Sequence, residues 1–190
     1  MRAFSAFDSS CQLASRLLFA SSMTITDFFN AQLEREFAIS RRVLQQVPAG
    51  RPDWKPHERS MALGYLATLV ATIPTWIAMA VTRDELDIRP QSGKGIKPET
   101  WTTNAELLAQ FDAAASQAFG AVAASNDAFL ATPWKLLAAG KVVDERPRHE
   151  VIADTLCHSA HHRGQLSVYL RMLGATVPSI YGPSADDQVF

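Results

Sequence analysis

At 190 residues, with net charge −1, 47% hydrophobic and 19% charged residues, the chain has the size and balance of one globular domain. It carries no basic block, which excludes the electrostatic footprint of a nucleic-acid binder, and no apolar run is read as a membrane span. Its two cysteines, Cys11 and Cys157, form neither a zinc-ribbon nor a redox spacing and suit a reducing cytoplasm better than a disulfide scaffold.

Residues 1–22 are rich in Ser and Ala and read as an extension outside the fold, disordered or weakly helical, or as a mis-assigned start with Met23 the true one. An organellar presequence is the alternative; the apolar centre Leu17-Leu18-Phe19-Ala20 is too short for a secretory signal. The domain is assigned to 23–190. Thr24 and Asp27 have capping-box spacing and open a first helix to about Val47, with Phe29, Leu33, Phe37, Leu44 and Val47 on one stripe. A second helix starts near Ser60 and puts Ala62, Leu66, Leu69, Ile73, Ile77 and Ala80 on one face. Pro74 falls inside that pattern and is read as a kink, because the periodicity continues on both sides.

Residues 83–101 hold Pro90, Gly93, Gly95 and Pro98 and form a long connection. Thr103 with Glu106 opens a third helix whose stripe is Leu107, Phe111, Ala114, Ala118 and Val122. Residues 126–146 read as a second irregular stretch. The fourth helix runs from about Pro147 to Leu173 and stops at Gly174. Four long amphipathic helices with two long connections predict an all-α fold, a four-helix bundle.

On the fourth helix, Ile152, Leu156, Ser159, Leu166, Leu170 and Leu173 define the inner face at 100° per residue. His158 and His162 share one margin of it, while His161, His149 and Asp154 fall elsewhere. Neutral imidazoles at i and i+4 can hold one borderline metal such as Zn, Ni or Fe. The spacing by itself is equally that of a hydrogen-bonded pair at a helix seam. Tyr169 lies on the same margin and reads as a core aromatic with a bonded hydroxyl. Cys157 reads as a buried, inert thiol. Trp76 is expected in the core, with Trp54, Trp101 and Trp134 anchoring loops. Arg163 falls on the apolar face and needs a partner, for which Asp27, Glu34 and Glu36 on the first helix are the candidates.

The block His158 to Leu166, the continuation Tyr169-Leu170-Arg171 and the tail Val177 to Ser184 closely resemble the DinB family of metalloenzyme-like proteins, named for a damage-inducible member. Lys55 to Met61 and Pro74-Thr75-Trp76 add to the likeness, which runs from about Thr24 to Asp187. The resemblance implies an up-down-down-up four-helix bundle, often a homodimer, binding a divalent metal through three histidines and in some members acting as a thiol-dependent transferase or isomerase. The helix-four ligands it implies are His158 and His162. The helix-two ligand falls in Leu66-Ala67-Thr68-Leu69, where Leu69 stands in place of histidine. Leucine has no lone pair, and a catalytic metal normally takes three protein ligands. His57 lies 12 positions before Leu69, about 18 Å along a helix, and is better placed to cap the start of helix two. Two functions follow as expectations: a divalent-metal-dependent thiol transferase with an atypical site, or a catalytically degenerate bundle that binds a small molecule or thiol and dimerises. Neither involves nucleic acid or membrane.

Overall fold

The computed structural model of the chain describes residues 23–91, 93 and 101–189. The extension expected at 1–22 and part of the connection expected at 83–101 lie outside the described residues.

Helix α1, Ile25–Gln45, begins where its donors find acceptors. Thr24 Oγ1 accepts from the Asp27 N–H at 2.9 Å and Asp27 accepts in turn from the Thr24 N–H at 3.2 Å. Asp127, from far along the chain, accepts from the N–H groups of Ile25 and Thr26 at 3.1 Å each. Those backbone bonds hold its carboxyl below the ordinary 3.8, and its charge sits at the positive end of the helix dipole. Helix α2, Leu63–Thr72, is followed directly by α3, Pro74–Thr82, with Pro74 as the first residue of the second piece. As the first residue of the second piece, proline removes none of that piece's own bonds, and the break between the two pieces falls at the position where the kink is expected. The start of α2 crosses the preceding loop closely: the Gly64 N–H reaches Pro52 O at 2.8 Å, and a Cβ at 64 would come within 3.0 Å of the proline ring.

Helix α4 spans Asn104–Ala123, with Thr103 and Glu106 forming the expected capping box. The short α5, Asp127–Leu130, leads to α6, Arg148–Met172, which ends with Gly174 at φ +71°. Contacts at the helix ends fix the directions. Asn104 Nδ2 donates to Leu44 O at 2.8 Å and Val47 O at 3.1 Å, so α4 starts where α1 stops. Tyr169, near the end of α6, bonds Met61 O ahead of α2, whereas Arg148 at its start bonds carbonyls at the end of α3. His149 Nδ1 bonds Leu130 O beside the start of α1. Thus α1 and α6 run one way, α2–α3 and α4 the other.

The stretch read as irregular contains a hairpin. Strand β1, Glu85–Asp87, pairs in parallel with β2, Pro133–Ala138, which pairs antiparallel with β3, Lys141–Pro147. Ala139 (φ +54°) and Gly140 (φ +78°) make the two-residue turn, both left-handed as such a hairpin requires. The Asp87 carboxylate accepts from both turn N–H groups, at 3.1 and 2.8 Å. The expected plain four-helix bundle is therefore corrected. The molecule is mostly helical, but a three-stranded sheet links the end of α3 to the start of α6. The membrane expectation also needs adjustment. Leu63–Thr82 is long and apolar enough to cross a bilayer, yet it is mostly buried in the fold, packed against α1, α4 and α6.

Two arginines among the described residues, Arg163 and Arg148, are buried. Arg163 is fully enclosed and donates to Glu36 Oε2 at 2.7 Å, Ser40 Oγ at 3.0 Å, Glu36 O at 3.0 Å and the Tyr181 hydroxyl. Tyr181 also donates to Glu36 Oε2, at 2.7 Å. Burial alone would raise the Glu36 pKa, but the bonds from Arg163 and Tyr181 outweigh it and hold the carboxyl below its ordinary 4.5. Arg148 binds Ala80 O, Arg83 O, Thr132 Oγ1 and Asp84, stitching α3, α5 and α6 together.

Candidate functional site

His158 and His162 come together as the helical spacing predicts. Their Nε2 atoms are 2.7 Å apart, and His162 Nδ1 lies 2.8 Å from Gln165 Oε1 one turn on. A carboxamide oxygen can only accept, so in the neutral pair His162 carries its proton on Nδ1 and its Nε2 lone pair accepts from His158 Nε2–H. Trp76 from α3 stands edge-on to the His158 ring at 5.1 Å. His161 is exposed and off the cleft lining, as expected from its place on the helix, with its ring edge-on to His162 at 4.9 Å. Consecutive long side chains on a helix can lean together even when their Cα vectors diverge. Burial, and then the neighbouring His162 and His161 imidazoles, hold the His158 pKa below the ordinary 6.5.

His158, but not His162, lines an open cleft of about 970 Å³. Leu69, Trp76 and Met79 of α2–α3 form one wall, Leu86 and Leu136 of the sheet a second, and Val151, Thr155 and His158 of α6 a third. Asp144, Arg146 and Asp154 also line the cleft, as an ion-paired group open to solvent. Three expectations change here. Leu69 is half-buried on the cleft wall and not part of the closed core; Trp76 is likewise half-buried; and Cys157 is exposed and lines the cleft. Each lies where the sheet stands off from the helices, a gap that a bundle without the sheet would not have. Tyr169 is buried and its hydroxyl donates to Met61 O at 3.1 Å, as a core aromatic should. His57 is exposed, and its Nδ1 accepts from the Arg59 N–H at 3.2 Å. Trp101 anchors its loop through Nε1 to Thr68 Oγ1 at 2.9 Å.

These residues do not fit a three-histidine metal centre. Among the described residues no set of three His, Cys, Asp or Glu side chains converges on one point. Leu69, at the position where the resemblance implies a third histidine, lines the same cleft as His158. Two imidazole nitrogens on one tetrahedral zinc, each about 2.0–2.1 Å from the ion, would stand about 3.3 Å apart. The 2.7 Å separation found is that of a hydrogen bond.

The DinB family model matches residues 34–188. Two solved DinB-like proteins share the fold. One from Bacillus cereus aligns with TM-score 0.65 and 20% identity over 84% of this chain and 99% of its own. The other, YjoA from Bacillus subtilis, aligns with TM-score 0.60 and 14% identity over 85% of this chain and 99% of its own. The uncharacterized protein YrdA of Bacillus subtilis is 40% identical over 43 residues, which is 23% of this chain and only 26% of that protein.

Proposed function

This chain belongs to the DinB family, and from that premise we propose that it is a small-molecule-binding member built on the four-helix plan with an added sheet. Its ligand site is the cleft beside His158. In this reading His158 and His162 work as a hydrogen-bonded couple, able to accept or donate a proton at the cleft wall, and not as two-thirds of a metal centre. The observation that carries it is Leu69, an apolar side chain without a lone pair that lines the same cleft as His158, at the position where the family resemblance implies a third histidine. An apolar cleft with few polar groups is the usual form of a small-molecule site.

A second reading keeps a divalent ion (Zn, Ni or Fe) on His158 and His162, with a thiol ligand completing the coordination, as a metal-dependent thiol transferase or isomerase would require. It is favoured by Gln165, which orients His162 so that its Nε2 lone pair points to its partner, the arrangement that outer-shell residues give to metal-binding histidines. Metal content per chain, measured after dialysis on wild type, His158→Ala and Leu69→His, separates the two. The first reading expects little metal in the wild type and a near-stoichiometric load in Leu69→His. A stoichiometric wild type that empties in His158→Ala overturns it in favour of the second.

A further inference from the structure

Three hydroxyls of the cleft lining are already committed as donors, while the Trp134 Nε1–H on the same lining is buried without a partner among the described residues. Thr72, Thr75 and Thr155 line the cleft, and each donates its hydroxyl proton to a backbone carbonyl three or four residues earlier: to Thr68 O at 2.8 Å, Thr72 O at 2.7 Å and Val151 O at 2.7 Å. A hydroxyl has one proton and two lone pairs, so these side chains are left to offer acceptors and methyl groups. At the sheet end, Asp144 and Asp154 both engage Arg146, through Nε at 2.8 Å and through Nη1 respectively. Apart from His158, these are the charged side chains lining the cleft among the described residues, so two carboxylates against one guanidinium leave it with a charge of −1. Strand register keeps other charges away. Glu85, Lys135 and Glu145 pair across the sheet, each one residue from a cleft-lining Leu86, Leu136, Asp144 or Arg146, and so project from the opposite face. The apolar side chains of Leu69, Met79, Leu86, Ile88 and Leu136 share the lining, as does the indole of Trp76.

We propose that the cleft takes an apolar amine in its ammonium form. The hydrocarbon body lies against the leucines and Met79, while the ammonium protons meet Asp144, Asp154 and the threonine lone pairs. The assignment rests on the small-molecule reading given above. An ammonium brings only donors to the threonine lone pairs and the two carboxylates, and it is attracted by the net charge. A carboxylate of the same length would meet two carboxylates flanking the lone guanidinium.

The test is calorimetric titration of the full chain at neutral pH with octylamine, octanol and octanoate, which share a body and differ in charge. Octylamine should bind about tenfold or more tighter than octanol, with octanoate weakest. Arg146→Gln, which unpairs both carboxylates, should tighten octylamine severalfold. The double variant Asp144→Asn with Asp154→Asn should bring octylamine down to the octanol level. Leu69→Trp, which fills the cleft, should abolish binding of all three. Equal affinities, or octanoate binding tightest and weakened by Arg146→Gln, would overturn the ammonium assignment and leave the cleft as a ligand site. No binding of any of the three to wild type, or binding unchanged by Leu69→Trp, would overturn both.

Discussion

Replacing Glu36 by glutamine should cost far more than a surface substitution, and more than removing its partner. The carboxamide keeps the shape and an acceptor oxygen, but it leaves the Arg163 guanidinium, fully enclosed, without a counter-charge. Breaking a buried pair from one side costs about 3–5 kcal/mol. Retained hydrogen bonds to Ser40, Glu36 O and Tyr181 place Glu36→Gln near the low end, about 3 kcal/mol. For a chain of this length that lowers Tm by about 6–12 °C. Arg163→Met is expected to cost less, about 2 kcal/mol, because Glu36 keeps the Tyr181 hydroxyl at 2.7 Å and Arg35 at 3.2 Å and methionine fills the vacated volume. The double variant should then be milder than the sum of the two. Urea unfolding followed by circular dichroism gives all three values as a cycle. A Glu36→Gln within about 0.5 kcal/mol of wild type, or additive single effects, would refute the view that this pair is coupled and enclosed.

The same carboxyl sets an acid limit. Its folded pKa lies below 4.5, so its stabilisation is complete above that value and is lost as pH falls through the folded pKa; below pH 4.5 wild type should lose stability more steeply than Glu36→Gln, as acid titration of unfolding shows. Ala139→Asn, at φ +54°, should stabilise by about 0.5–1 kcal/mol in thermal melts, because asparagine tolerates the left-handed conformation. Asp127→Ala should cost about 1 kcal/mol and speed amide exchange at the start of α1 above other helices. Arg148→Ala should cost about 2–3 kcal/mol through its lost bonds to Ala80 O and Arg83 O, with little owed to Asp84, whose side chain is 98% exposed; Asp84→Ala should therefore leave urea stability nearly unchanged.

The helices and their caps are legible in the sequence because each signal is local. Thr24 with Asp27 and Thr103 with Glu106 announce their own N-termini, and Gly174 announces an end. The need of Arg163 for a carboxylate is also legible, with Glu36 among three candidates; choosing between them requires the helix crossing, which no single helix encodes. The hairpin escapes a sequence reading for a different reason. Its turn is Ala139-Gly140, which lacks the usual Asn-Gly or Asp-Gly signature, and the turn is completed from outside by Asp87. Alternation over Trp134-Lys135-Leu136 and the Val142-Val143 pair are the available signals, cut short by the bulge after Leu136. Without the sheet there is no cleft, so a sequence reading gives Leu69, Trp76 and Cys157 the wrong surroundings even though helical spacing correctly brings His158 and His162 together.

The enclosed arginine also bears on how the chain assembles in time. Glu36 meets Arg163 across 127 positions and Tyr181 across 145, so α1 acquires its inner polar partners only after nearly the whole sequence has been gathered. Contacts this distant require large loops to close before any gain is returned, which slows folding relative to helix pairs that meet as neighbours. Tyr181→Phe, by removing the last hydroxyl to arrive, should leave the folding rate almost untouched and speed unfolding instead.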